Sequence, residues 1–353
     1  MRKGKRLVAW IMAVVMLFTI CVFGGNGTAE AAATTPVAKH GRLSVKGADL
    51  VDNKGNKFQL RGISTHGINW DVGSPYVNKK AFKTLRDDWG VNAIRLAMYT
   101  EEYNGYCSGD SQAKLRKLVD KGVGYATDLG MYAIIDWHIL SDGNPNKNKS
   151  QAKKFFTTMA KKYKNNKNVI YEICNEPNGC SWKEIKSYAT DIIKTIRKYD
   201  KKAVIIVGTP TWSQLGTDGT SNEVADSPIK GYKNIMYSLH FYASEWAHNE
   251  YLPAKVAYAR KKKLPILVSE FGLSPASGDG AINKASADKW MKLLNKYNIS
   301  YFCWSLSNKN ESASLLKPST KKTSGWKSGD LSTAGKYIKK KYLARKKALG
   351  KKA

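Results

Sequence analysis

Histidine and cysteine are scarce in this sequence, 5 of each in 353 residues, and no Cys-x-x-Cys or His-rich cluster is present. That argues against a metal site built from these residues. Acid is also short, with 28 Asp and Glu against 59 Lys and Arg, for a net charge of +31. So basic a chain raises the question of nucleic acid. No helix-turn-helix, zinc-finger, RRM or KH signature is found, however, and the lysines spread over helical segments such as 153–167 and 194–202. The excess reads as a solvated coat, which bears on solubility and non-specific partners and leaves electrostatic adsorption to an anionic cell wall open. No Gly-x-Gly-x-x-Gly follows the first strand-like run, which removes the dinucleotide-binding fold. No Ser/Thr/Pro-rich linker or second aromatic module interrupts or follows the main body.

One apolar run is present. Met-Arg-Lys-Gly-Lys-Arg precedes it, it spans Leu7 to Phe23, and small residues follow to Ala33. Basic, apolar, then small is the order of a secretory signal peptide. The run falls short of the ~20 residues that cross a bilayer comfortably. Ile20, beside Cys21, stands where a lipoprotein site wants a small residue. The expected division is a signal peptide over 1–31, a linker over 32–39, one catalytic-sized domain over 40–348 and a basic tail over 349–353. Cleavage after Ala31 removes Arg2, Lys3, Lys5, Arg6 and Glu30, so the basicity belongs to the exported chain. Export permits disulfides. Cys174 and Cys303 lie in apolar strand runs and read as buried thiols, which leaves Cys107 and Cys180 as the only candidate pair.

From residue 58 onward, β-branched runs alternate with amphipathic stretches. Strands are expected at 58–64, 93–99, 132–138, 169–175, 203–209, 235–242, 265–271 and 300–306. Helices fit at 77–89, 111–129, 149–163, 182–199, 253–262, 284–297 and 332–347, with a weaker one near 221–228. Eight of each at regular spacing predicts an α/β fold of the (β/α)8 TIM-barrel type in a single domain. A hairpin within 41–55 precedes the first strand and is placed to plug the barrel bottom.

Two segments then stand out: Tyr-Glu-Ile-Cys-Asn-Glu-Pro at 171–177 and Ile-Leu-Val-Ser-Glu-Phe-Gly at 266–272. Each is an apolar strand closing on a glutamate, so Glu176 and Glu270 are expected at strand C-termini, where barrels build function. A buried carboxylate is costly and adds nothing to a core. Two of them converging on one pocket are the equipment for cleaving a glycosidic bond. Either one alone reads equally well as a strand-end cap or a partner for a basic side chain. The rest of the expected rim is polar and aromatic: Arg95, Tyr99, Trp137, His138, Asn175, Trp212, His240, Tyr242 and Trp304. Any one of these has a packing explanation; the whole set does not.

At these residues the sequence resembles glycoside hydrolase family 5, the large cellulase family of clan A, and its secreted bacterial endo-β-1,4-glucanase branch most of all. The resemblance rests on Arg-Gly-Ile-Ser-Thr-His-Gly (61–67), Ile-Arg-Leu-Ala-Met-Tyr (94–99), Asp-Trp-His (136–138) and Glu-Ile-Cys-Asn-Glu-Pro (172–177). It continues through His-Phe-Tyr-Ala (240–243), Ser-Glu-Phe-Gly (269–272) and Trp-Ser-Leu-Ser-Asn-Lys (304–309), in the family's order. It implies a retaining double displacement without metal or organic cofactor. Glu176 is then the acid/base and Glu270 the nucleophile. Arg95 and Tyr242 keep Glu270 ionised, and His240 orients Glu176. Asn175 binds the sugar 2-hydroxyl, His138 holds the sugar before the cleavage point, and Trp304 stacks on it. His66, Trp70, Tyr99, Trp212, Lys309 and Glu311 line the cleft. Glu176 is expected to titrate high because an ionised Glu270 faces it and bound sugar excludes water. The unusually basic composition departs from the family without touching the site. A β-mannanase or xylanase on the same site remains open, because the glutamates do not select the sugar. A non-catalytic carbohydrate-binding barrel is disfavoured by the retained carboxylate pair.

Overall fold

The computed structural model describes residues 35–109 and 111–350. The expected signal peptide lies outside the described residues, as do the start of the linker and the last residues of the tail. Eight parallel strands close into a barrel in the order β10-β3-β4-β5-β6-β7-β8-β9. They are β3 (Arg61–Thr65), β4 (Ala93–Tyr99), β5 (Tyr132–His138), β6 (Val169–Glu172), β7 (Ile205–Val207), β8 (Ile235–Tyr242), β9 (Ile266–Gly272) and β10 (Tyr301–Leu306). The main covering helices are α2 (Lys79–Trp89), α3 (Gln112–Asp128), α4 (Lys149–Tyr163), α5 (Trp182–Arg197), α7 (Trp246–Lys261), α8 (Lys284–Lys296) and α9 (Thr333–Gly350). The shorter helices include α1 (Pro36–His40) and α6 (Glu223–Asp226), besides short helical turns at Ser74–Tyr76, Pro210–Ser213 and Ser328–Asp330. No helix among the described residues is long and apolar enough to cross a membrane.

Local chemistry accounts for the boundaries. Ser181 caps α5 by accepting the Glu184 amide while Glu184 returns to Ser181, the reciprocal box that Ser-x-x-Glu encodes. Asn78 caps α2 at its start, and Gly90 ends it in the left-handed conformation. The apolar faces of the helices pack outside the strands in one large core. Inside, a second layer of Ala93, Tyr132, Ile134, Ile170, Ile206, Met236, Leu267 and Phe302 fills the lower barrel. Gly62 is required there, because a Cβ on it would sit 1.9 Å from the Phe302 ring.

Below that layer the antiparallel hairpin β1 (Ser44–Lys46) and β2 (Asp49–Val51) contributes Leu43 and Leu50 to the same cluster, together with Phe58 and Leu60. The expected plug is therefore present, with one turn at Gly47 and a second at Asn53–Gly55, beyond which Val51 bridges Lys57. Four differences have physical reasons. Residues 36–39, expected as linker, form α1, capped by Thr35 and started by Pro36. Helix α7 starts at Trp246 and not near 253, with Pro253 inside it; proline reads as a helix start from sequence alone. Strands β6 and β7 pair over fewer residues than their apolar runs, since the chain turns toward the barrel mouth. All four described cysteines are free thiols. Cys107 and Cys180 pack against the outer core, where burial pushes their thiols up to about 12 and about 11 and keeps them protonated.

Candidate active site

Strand alternation selects the site. Along β4, Ala93, Arg95, Ala97 and Tyr99 share one face; along β5, Tyr132, Ile134, Asp136 and His138 do the same. Ala93, Tyr132 and Ile134 join the inner apolar layer, so the next residues of the same parity stand above it inside the barrel. There the filling turns from apolar to ionic. Arg95 is fully buried and serves five partners, one of them Ser64 Oγ at 3.3 Å from Nη1. Its Nε donates to Glu172 Oε2 at 2.7 Å, Nη1 to Glu270 Oε2 at 3.1 Å, and Nη2 to Asn175 Oδ1 at 2.6 Å, with Asp136 Oδ2 3.0 Å away. One guanidinium thus sits among three buried carboxylates. Burial raises Asp136 to about 7 and raises Glu172 as well, in each case against the pull of Arg95.

Glu270 lies within β9, beside His240 of β8 in the ladder. Tyr242 donates its hydroxyl to Glu270 Oε1 at 2.7 Å while Arg95 holds Oε2. Burial raises Tyr242 well above its ordinary value, so its proton stays in place to be donated. Glu176 stands four residues past the end of β6, on the turn following the strand rather than at its last paired residue. It touches His240: Nδ1 and Oε1 are 2.7 Å apart, and Nε2 meets Ser269 Oγ at 2.9 Å. Burial lifts Glu176 to about 8, with Arg95 lowering it and Asp136 and Glu172 adding to the rise. The expected high titration is present, but burial and the two lower carboxylates produce it where Glu270 was expected to. Burial also holds His240 at about 4, so this contact is a hydrogen bond between neutral groups over most of the pH range, not an ion pair.

His138 is fixed from below by Asp136, 2.6 Å from Nδ1. Burial drops the ring to about 3, so the neutral Nδ1–H tautomer donates to Asp136 and Nε2 accepts from Asn175 Nδ2 at 3.2 Å. Asn175 also donates to the Ile139 carbonyl at 3.1 Å. Its amide is therefore fully engaged beneath the cleft floor, and a sugar hydroxyl reaches it only by sharing the longer contact with His138.

The cleft above holds about 600 Å³. His66, Trp70, Tyr99, His138, Glu176, Trp212, His240, Tyr242, Glu270, Trp304, Lys309 and Glu311 all line it, whereas Arg95 and Asn175 support it from below. One wall is aromatic: Trp304 stacks on His138 at 5.4 Å and 20°, and Trp70 and Tyr99 are 4.5 Å apart. Glu311 bonds Lys309 at 2.5 Å and lies 3.7 Å from His66. Trp212 faces them from the Glu176 side, its amide donating to the Pro177 carbonyl at 3.0 Å. Thr211, Trp212 and Ser213 all have left-handed φ between 52° and 61°, which costs about 1–2 kcal/mol per residue. Ser213 Oγ donates to the Asn175 carbonyl at 2.7 Å and accepts the Thr209 amide, and these bonds hold the turn. Sequence reasoning missed Asp136 and Glu172 as members of the buried network, and Ser269 behind His240. The signal was available: each carboxylate is an acid at an inward position of an apolar strand.

Glu176, His240 and Glu270 are the one set of donors among the described residues close enough to ligate a cation, with an atom of each within 4.8 Å of the others. The Arg95 charge at Glu270 opposes a cation there. The same spacing sets two carboxylates of unlike environment across one pocket, which is the arrangement for acid-assisted nucleophilic displacement at an acetal carbon.

Residues 51–310 match the family model described as Cellulase (glycosyl hydrolase family 5). The chain is 47% identical over 341 residues to an endoglucanase of Clostridium saccharobutylicum, covering 95% of this chain and 72% of that protein. It is 44% identical over 325 residues to endoglucanase 5 of Pectobacterium carotovorum subsp. carotovorum, covering 92% of this chain but only 62% of that one, a little under two thirds. Among solved structures, the catalytic domain of Thermobifida fusca endoglucanase Cel5A superposes with a TM-score of 0.81 at 37% identity, covering 88% of this chain and 99% of that one. A variant of that domain in complex with cellotetraose is also similar, with a TM-score of 0.80 at 36% identity, covering 88% of this chain and 99% of that one.

Proposed function

Because the chain belongs to glycosyl hydrolase family 5, we infer that it is an endo-β-1,4-glucanase that hydrolyses cellulose and related β-glucans by retaining double displacement. The observation that carries this reading is the pair Glu176 and Glu270, whose oxygens lie within 4.8 Å across a cleft walled by Trp70, Tyr99 and Trp304. Glu270 attacks the anomeric carbon while the neutral Glu176 protonates the departing oxygen. The glycosyl-enzyme that forms removes the Glu270 charge, and Glu176 then takes a proton from the incoming water. The leaving group lies on the Glu176 side, over Trp212. The sugar chain kept by the enzyme lies on the other side, along Trp304, Trp70 and His66, with Lys309 and Glu311 at hydroxyl height.

The catalytic pair does not choose the sugar, so the substrate test compares reducing-sugar release from carboxymethylcellulose, mixed-linkage glucan, xylan and mannan. Release from the two glucans far above the other two is the expected outcome; faster release from mannan or xylan replaces the reading with the corresponding enzyme. The basic-apolar-small order of residues 1–33 supports export of the chain. With a net charge of +28 once residues 1–31 are removed (31 − 4 + 1), the exported protein adsorbs to anionic wall polymers. Such adsorption weakens toward ~1 M salt, where the Debye length is about 3 Å. Adsorption that ignores salt would mark a specific contact instead.

A further inference from the structure

Trp246 leaves 67% of its surface in water at the barrel mouth, and Tyr251, five residues on along α7, leaves 37%. Single exposed aromatics are ordinary on a protein surface. These two form a pair, with ring centroids 5.8 Å apart in an edge-on arrangement at 82°. Trp246 has no hydrogen-bond partner for its indole N–H among the described residues, so nothing within the fold uses its polar edge.

The surroundings hold the pair still. Gly219 lies so close to the Tyr251 ring that a Cβ there would come within 2.8 Å of it. Lys255 of α7 donates to the carbonyls of Gln214 and Asp218, tying the helix to the segment that follows Trp212. Glu245, the residue before Trp246, lines the cleft and accepts the Ala276 amide at 2.7 Å. Asn249 donates to the Ala243 carbonyl and accepts from Trp290, fixing the first turn of the helix. The exposed pair is therefore braced against the same loop that carries Trp212 and stands just outside the cleft, on the Glu176 side.

We propose that Trp246, braced by Tyr251, is a distal platform for the β-glucan chain on the leaving-group side, one step beyond Trp212. The proposal rests on the glucanase reading and extends it. Pyranose rings present apolar C–H faces to an aromatic ring, and a chain running out of the cleft past Trp212 continues along the rim that Glu245 and Trp246 form. The site is open rather than walled, which suits a polymer and offers little to a short substrate.

The test compares two substrates: cellohexaose, long enough to leave the cleft, and an aryl β-cellobioside, whose leaving group ends beside Trp212. In Trp246→Ala the ratio of kcat/KM for cellohexaose to that for the aryl glycoside falls about three- to tenfold, the range of one aromatic contact. Trp246→Phe keeps most of the ratio. An unchanged ratio in Trp246→Ala overturns the proposal. So does an equal loss on both substrates, which would mean that Trp246 shapes the cleft through Glu245. A wild-type protein that cleaves neither substrate overturns the glucanase reading beneath it, a result separable from the other two.

Discussion

His240 stands between Glu176 and Ser269, with Nδ1 2.7 Å from Glu176 Oε1 and Nε2 2.9 Å from Ser269 Oγ, and Ser269 in turn meets Ser238 Oγ. The ring is neutral above about 4, so it has one N–H to place. When Glu176 is protonated it donates to Nδ1, and Nε2–H donates to Ser269. When Glu176 is ionised the tautomer reverses, and Nδ1–H donates to the carboxylate. Both protonation states of the acid/base are accommodated without moving a heavy atom, which a residue that must act first as acid and then as base requires.

Glu176→Ala should therefore lose activity on poor leaving groups far more than on an activated aryl glycoside. Added azide should restore turnover on the latter, because a good leaving group needs no acid and azide needs no base. Formation of the glycosyl azide is the readout. A folded variant that gives no such product under azide would remove Glu176 from the acid/base role.

The same carboxyl makes a prediction about stability. Glu176 is held at about 8 in the fold against an ordinary 4.5. Between those values the native state keeps a proton that the unfolded chain has lost, so stability falls as pH rises through this window. Below 4.5 both states are protonated and the contribution vanishes. Glu176→Gln removes the penalty, so its gain in unfolding free energy over wild type should grow from pH 4.5 to pH 8 and then level, reaching on the order of a few kcal/mol. Calorimetry across that range checks it; a gain that does not change with pH would contradict the shift.

Glu270→Gln keeps the shape of the side chain and the Tyr242 and Arg95 neighbours but removes the attacking charge. The expected loss in kcat is roughly four orders of magnitude or more. Binding of cello-oligosaccharide, measured by calorimetry, should survive. Turnover near wild type would reassign the nucleophile.

The barrel was legible because its strands are apolar runs of the right length between helical patterns, and β4, β5 and β8 run as their residues predict. The pair Glu176 and Glu270 was legible because an acid closing an apolar strand has no packing reason to be there. Asp136 and Glu172 carry the same signal, but Asp136 lies in mid-strand and Glu172 is the last paired residue of β6, and alternation and the barrel's curvature decide whether either side chain meets Arg95 or a helix. Pairwise contacts such as His138 with Asp136 depend on strand register, and register between parallel strands is set by the closed sheet, not by either strand alone. The left-handed turn at Thr211–Ser213 was not legible, because none of its residues is glycine and side-chain bonds from Ser213 and Thr209 sustain it.

Arg95 anchors this network and can be tested apart from catalysis. Arg95→Met leaves Asp136, Glu172 and Glu270 without their cation, and losing one partner of a buried ionic group typically costs about 3–5 kcal/mol. The cost comes from ionised carboxylates, and burial already raises Asp136 to about 7 and Glu172 upward. At low pH both are neutral in the variant, so the deficit should shrink as pH falls. Denaturant unfolding at pH 4.5 and pH 8 measures it. A deficit equal at both pH values would show that Arg95 matters through packing alone.

Stereochemistry is fixed by the distance across the cleft. An inverting enzyme needs its carboxyl groups about 6.5–9.5 Å apart, so that a water fits between the base and the sugar's far face. Here oxygens of Glu176 and Glu270 lie within 4.8 Å, and Arg95 and Tyr242 hold Glu270 against the reacting carbon rather than behind a water. Water can enter only after the leaving group departs, from the side that Glu176 commands. It therefore restores the configuration that the first displacement inverted. Proton NMR of the earliest hydrolysis products should show the β-anomer first, with the α-anomer growing in by mutarotation. An initial α-anomer from a β-linked glucan would require a water between the two carboxylates, which this geometry does not admit.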